Sequence, residues 1–347
     1  MLSLVGAVMT ASASDADSPP TNHLSPVPPA LVVPAQWEYT APLITPEKRD
    51  REVSVAQKDP SVVYHEGQWH VFMTVKLPDR TAMEYCRFDR WEAADQAPRT
   101  LLKLSDSRYY CAPQVFYFTP HRKWYLVYQV GVPGVTKMWV AYSTTDTIGD
   151  PLSWTPAQPM LDGGANDPRP EGGLDYWIIC DEQWAYLFFT SLNGKLWRMR
   201  TKLEDFPGGF DHAEIALEAA IFEASHTYKL TGTGQYLTIV EENGRRFYKA
   251  YLADHLDGPW TPLADTAQRP FAGWTNIRPA VGVEPWVDNV SHGELIRDGN
   301  DQTMTVAPGN LRFVFQGLLE TDKTEAAKGY GQYPWRIGML SPATPPP

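Results

Sequence analysis

Five stretches of this sequence set a polar or charged side chain at the start of an apolar, aromatic run. Lys58 and Asp59 precede "PSVVYHEGQWHVFMTV", and Gln114 opens "QVFYFTPHRKWYLVYQV". Asp175 precedes "YWIICDEQWAYLFFTS", Glu223 opens "EASHTYKLTGTGQYLTIVEE", and His292 and Glu294 lie in "SHGELIRDG". An acid at a strand end is ordinarily just solvated. Three acids at equivalent places in a repeat are different: gathered in one cavity they must share protons, bind a cation or hold a polar ligand. Two carboxylates across a pocket suit glycoside hydrolysis, one protonated to supply the leaving oxygen, the other ionised to act on water or on the sugar. A third acid can raise the donor's pKa by like-charge repulsion.

The elements that would position these residues follow from the pattern. Each stretch has a β-rich run, a polar turn and a second run heavy in aromatics, which is a β-hairpin. More alternating strand follows in "KMWVAYSTT", "GKLWRMRTK" and "RRFYKAYLA", and Trp-Thr-Pro recurs at Trp154 and Trp260. Antiparallel units repeating every 45 to 70 residues or so predict an all-β fold, a five-bladed β-propeller, over a β-sandwich. The innermost strand of each blade lines the central channel, so residues far apart in sequence converge on one funnel. Tyr64, Trp69, Trp177, Trp274, Trp286, Tyr330 and Trp335 are available to stack on sugar rings, and most are expected to pack between blades instead.

The 347 residues are 43% hydrophobic, ample for a core, and 31 Pro and 25 Gly suit many strands joined by turns. A net charge of -11 argues against nucleic acid and anionic membranes as partners, and no run is long and apolar enough to span a bilayer. Three cysteines exclude a disulfide scaffold; Cys86 and Cys111 could pair or stay as free thiols. Residues 1–13 read as a partial secretory signal, with Ala11-Ser12-Ala13 as the cleavage site but no positive n-region. A secreted or periplasmic protein is expected. Residues 14–35 read as a disordered Pro/Ser/Asp-rich linker, 36–342 as the propeller and 343–347 as a Pro-rich tail.

From about Gln36 to Leu340, ten stretches in order resemble glycoside hydrolase family 62, the α-L-arabinofuranosidases that trim arabinose from arabinoxylan. They include "KDPSVVYHEGQWHVF", "APQVFYFTPHRKWYLVYQ", "LDYWIICD", "FEASHTYKL", "YLTIVEENGRRFYKAYLADHLDGPWTPLA" and "YGQYPWRIGML". The resemblance implies a five-bladed propeller acting with inversion. Asp59 in "KDP" would be the general base, Glu223 in "FEAS" the general acid, and Asp175 in "LDYW" would orient the acid and tune its pKa. An inverting pair would stand roughly 6.5–9.5 Å apart. Lys58 and Tyr330 would hold the arabinose ring, with Gln114 and Trp177 as further substrate contacts and Gln114 and His292 lying deeper in the funnel. No cofactor is needed for the chemistry. A calcium ion near the axis would be held partly by His292 and mostly by water. The expected partner is an arabinoxylan-like polysaccharide, the expected state a monomer.

Two segments depart from the family's usual text, from Lys76 to Tyr110 and from Trp274 to Val290, and are expected as rim loops or outer strands. Gly309 stands where many relatives have a cysteine. The competing readings are a furanosidase or xylosidase for another sugar, a sugar-binding propeller without catalysis, and a protein-interaction propeller. The three acids favour an enzyme.

Overall fold

The computed structural model of this chain describes residues 31–47, 53–325 and 329–343. The expected signal at 1–13, residues 14–30 of the expected linker and residues 344–347 of the tail lie outside the described residues. Among the described residues the strands form five sheets, which are the blades of the propeller. The first holds Ala56–His65, Gln68–Lys76, Thr81–Phe88 and Arg99–Leu101. The second holds Tyr110–Phe118, Lys123–Val130, Trp139–Thr145 and Gln158–Leu161. The third holds Leu174–Cys180, Trp184–Thr190, Lys195–Lys202 and Ala213–Glu218. The fourth runs from His226–Leu230 through Tyr236–Glu242 and Phe247–Ala253 to Thr261–Thr266, with short strands on both sides.

The fifth blade is assembled from both ends of the propeller. Asn289–Leu295, Phe313–Leu318 and Arg336–Pro342 come from the C-terminal region; Trp37–Tyr39 then adds antiparallel to Arg336–Pro342, and Ile277–Pro279 pairs parallel outside it. The Ala343 N–H donates to the Gln36 carbonyl at 2.9 Å, tying the two ends.

The hairpin turns follow from local chemistry. Glu66 and Gly67 both take positive φ (48° and 79°), which a two-residue turn between twisted strands requires. Sheets stacked face to face bury both faces, so inner strands such as "VFMTV" and "YWIIC" are apolar on both sides instead of alternating. Aromatic side chains fill the wedges between blades. Trp37, Trp177 and Trp335 are fully buried, and the Trp37 indole N–H donates to the Phe271 carbonyl at 2.6 Å. The axis is closed by a charged plug: Arg297 pairs with Glu294 at 2.8 Å and donates to the carbonyls of Val62 and Val115 at 3.0 and 2.8 Å. All three cysteines are buried and free, so Cys86 and Cys111 do not pair. The Lys76–Tyr110 segment supplies the two outer strands of the first blade, while Trp274–Val290 holds the outermost strand of the fifth and begins its innermost one.

Candidate active site

The innermost strands share a defect at their funnel ends. The ladder to the second strand slips between Lys58 and Ser61, Cys111 and Gln114, Leu174 and Trp177, and Ser291 and Gly293. The residues caught in the slips include Asp59, Ala112, Asp175 and His292. Asp59, Ala112 and Asp175 adopt left-handed backbone, with φ of 50°, 54° and 57°. Ala224, just before the innermost strand of the fourth blade, does the same at 54°. A β-bulge turns a side chain out of the ladder, and non-glycine residues at positive φ cost about 1–3 kcal/mol unless their surroundings hold them.

Here the surroundings do. Each bulge N–H is accepted by a side chain of the preceding blade. Asp59 donates to Gln316 Oε1 (2.8 Å), Ala112 to Thr74 Oγ1 (2.8 Å), Asp175 to Gln129 Oε1 (3.0 Å) and His292 to Glu241 Oε2 (2.8 Å). All four acceptors sit on second strands, opposite the residue before the bulge. The third blade breaks the rule. Its equivalent residue, Thr190, is buried with no partner for its hydroxyl, and the Asp175 carboxylate takes the Ala224 N–H instead, at 2.9 Å. Asp175 thereby fixes the backbone next to Glu223.

Three tiers result. Lys58 and Glu223 precede the bulges, Asp59, Asp175 and His292 occupy them, and Gln114 and Trp177 lie two residues deeper. The first two tiers meet in one cavity of about 320 Å³, whose wall includes Lys58, Asp59, Asp175, Glu223, His292 and Tyr330. The third tier does not reach it. Gln114 spends both ends of its amide on the backbone of Ile178 (2.7 and 2.6 Å), locking the second blade to the third. Trp177 is buried, donates to the Thr227 carbonyl at 2.8 Å and stacks on His226 at 4.3 Å. Both hold blades together where a substrate contact was expected. Of the seven aromatics available for stacking, most of them expected to pack between blades, Tyr330 and Trp335 line the cavity; Tyr64 and Trp69 pack together at the opposite end of the first blade.

The acids are differently tuned. Burial would raise Asp59, but Lys58, His292 and the Thr74 hydroxyl outweigh it and hold the carboxyl below its usual range. Lys58 Nζ lies 4.0 Å from Asp59 Oδ1 and 4.8 Å from the centre of the Tyr330 ring. It stays charged despite burial, because Asp59 and Tyr330 favour the cation. Glu223 is pushed up to about 7 by burial and then by Glu241, against the pull of Arg246 and Lys58. Asp175 is raised well above the carboxylate range by burial, Glu223 and Asp59. One proton is thus held between Asp175 and Glu223 near neutral pH, while Asp59 is ionised. His292 Nδ1 lies 3.3 Å from Asp59 and 3.7 Å from Asp175. Burial lowers the pKa of this imidazole although Asp59 and Glu241 favour its cation. The Tyr330 ring is 44% exposed at the mouth, while its hydroxyl is pushed up to about 12 by burial.

Sequence reasoning missed several residues of the site. Arg246 donates to Glu223 Oε1 at 2.9 Å and also pairs with Glu241. Lys76, Thr81 and Tyr109, from the unfamiliar segment, form part of the cavity wall. In sequence these read as ordinary strand and turn residues, and no spacing marks them. Among the described residues no group of three His, Cys, Asp or Glu side chains could hold a metal ion.

Comparison with known proteins completes the site. The sequence profile described as Glycosyl hydrolase family 62 matches residues 36–341. Alpha-L-arabinofuranosidase C of Cellvibrio japonicus is 40% identical over 320 residues, covering 89% of this chain and 47% of that protein. This chain therefore spans about half the length of that curated relative. The catalytic domain of the GH62 α-L-arabinofuranosidase of Coprinopsis cinerea is 36% identical with a TM-score of 0.80, over 89% of this chain and 98% of the other. The α-L-arabinofuranosidase of Podospora anserina, solved with cellotriose, is 34% identical with a TM-score of 0.81, over 91% and 99%.

Proposed function

Since this chain belongs to glycosyl hydrolase family 62, we propose that it is an inverting α-L-arabinofuranosidase that removes arabinofuranose side chains from arabinoxylan or a related polysaccharide. The observation that carries the reading is the opposite tuning of two carboxyls on one cavity wall, Asp59 held low and Glu223 pushed up to about 7. Ionised Asp59 takes a proton from a water, and that water attacks the anomeric carbon. Protonated Glu223 gives its proton to the departing glycosidic oxygen as the bond breaks. Asp175 orients Glu223 through the Ala224 N–H, while burial and the nearby Glu241 charge keep the acid protonated. Lys58 and Tyr330 hold the ring hydroxyls at the mouth. A cavity of this size admits a single sugar, which fits removal of a side chain rather than cleavage within a main chain.

The related structure solved with cellotriose supports a β-linked main chain as the polymer. Calcium, if it binds at His292, is held by water, because calcium takes six to eight oxygen ligands and the adjacent carboxylates belong to the reaction. Export as a monomer completes the proposal.

The test incubates purified protein with arabinoxylan and quantifies free L-arabinose, with Glu223→Ala as control. Early proton NMR of the product reports the anomer. Release of β-arabinofuranose by the wild type alone is expected. An α-anomer refutes inversion, and no release of arabinose by the wild type refutes the substrate.

A further inference from the structure

Resting on that reading, we infer that Arg246 and Glu241 form a matched positioning pair for Glu223: the cation fixes the acid's carboxyl, and the carboxylate balances the cation and anchors it to the base's side of the cavity. Arg246 enters at the turn before Phe247–Ala253 and is 7% exposed. Its Nη1 reaches Glu223 Oε1 at 2.9 Å and Glu241 Oε1. Its guanidinium lies over Phe222 at 4.5 Å, and its own N–H donates to Asn289 Oδ1 at 3.1 Å. The arginine is therefore held on every side before it holds the acid.

Glu241 is fully buried, on the second strand of the fourth blade. One oxygen meets Arg246. The other accepts the Ser291 hydroxyl (2.9 Å) and the His292 N–H (2.8 Å). Gln316 donates to the same Ser291 hydroxyl at 3.0 Å and accepts the Asp59 N–H at 2.8 Å. Acid and base are thus joined by one unbroken series: Glu223, Arg246, Glu241, Ser291, Gln316, Asp59. An enzyme that must leave room for a water between its two carboxyls needs such a spacer.

The pairing also answers an electrostatic difficulty. An unbalanced arginine on Glu223 would hold it ionised and unable to donate a proton. Glu241 cancels that charge while leaving the hydrogen bond in place. The other charged and titratable groups facing Glu223 are Lys58 of the first blade, Asp175 of the third and Tyr330, in the loop between Phe313–Leu318 and Arg336–Pro342 of the fifth; burial lowers the pKa of His292.

Two variants separate positioning from bulk. Glu241→Gln keeps the shape and removes the balancing charge. Glu223 then loses its proton at lower pH, and the alkaline limb of kcat/KM on arabinoxylan oligosaccharides moves down by roughly one pH unit. Arg246→Lys keeps the charge but is shorter and lacks the planar guanidinium that lies over Phe222 and fixes the direction of the donor. It lowers kcat at the optimum about tenfold with KM little changed, and leaves the limb near its place. Carbon-13 NMR titration of the glutamate carboxyls, with Glu223 assigned by Glu223→Gln, reads the first effect without activity. An unmoved Glu223 titration and unmoved limb in Glu241→Gln overturn the inference, as does a kcat for Arg246→Lys equal to the wild type. A wild type that releases no arabinose, with the titration shift intact, removes the proposed function and leaves the pair standing.

Discussion

The pH profile tests the reading of the site most directly. The productive state needs Asp59 ionised and Glu223 protonated. Asp59 is held below the ordinary 3.8 by Lys58, His292 and Thr74, against its burial; Glu223 is pushed from 4.5 to about 7. At pH 6 a carboxyl titrating near 7 is roughly nine-tenths protonated, whereas one titrating near 4.5 would be about one-thirtieth protonated. The shift therefore gives about thirtyfold more competent enzyme at that pH. The expected kcat/KM for arabinose release is a plateau from below pH 4 to about 6.5. Above about 7 it falls tenfold per pH unit, so that roughly a tenth remains at pH 8. Initial rates on arabinoxylan oligosaccharides between pH 3 and 9, at fixed ionic strength and far below KM, measure it. An alkaline limb near 5 would show Glu223 to be an ordinary carboxyl, and the assignment of proton donor would fall.

Other outcomes follow from the same contacts. A buried carboxyl with a raised pKa gives stability that is present below about 4.5 and lost as pH rises through about 7. Glu223→Gln should therefore gain up to about 3 kcal/mol over the wild type between pH 5 and pH 8 by urea denaturation, at about 1.4 kcal/mol per pH unit; equal differences at both pH values would contradict this. Lys58→Met removes the first cation beside Asp59, so the acid limb of kcat/KM should rise in pH and KM should increase; an unmoved limb counts against the pairing. Gln114→Ala strands the Ile178 backbone amide and carbonyl, and should cost about 2–3 kcal/mol of stability with KM unchanged. A raised KM without loss of stability would return Gln114 to the substrate.

Much of this molecule is legible in its sequence, and the reason is repetition. Five hairpins with aromatic second strands predict five blades, and the Trp-Thr-Pro at Trp154 and Trp260 does lead into the fourth strands of the second and fourth blades. Asp59, Asp175 and Glu223 are legible because each stands at the mouth of such a hairpin. The bulges are not. A slip of the ladder moves side chains between faces, and strand alternation read from the sequence carries no mark of it. Gln114 and Trp177 read as substrate contacts for that reason, Gln114 already as a deeper one, yet their tier lies below the cavity wall. Glu241 and Arg246 are hidden differently. Their partners lie on other strands or other blades, and "EENGRR" reads as a plain polar turn. Arg246 and Glu241 meet across their own turn, but their links to Asn289, Ser291 and His292 form only when the ring closes.

That closure leaves the order of the blades along the chain free to rotate. Trp37–Tyr39 lies between Arg336–Pro342 and Ile277–Pro279, and Gln36 already shares a hydrogen bond with Ala343. The start and finish of the propeller are therefore adjacent points on one circle. A chain joined there by a short linker and reopened at the exposed turn near Gly134 would run through the same five sheets in a rotated order. The funnel depends on which blades are neighbours, not on which is made first, so such a permuted protein should keep its reaction centre.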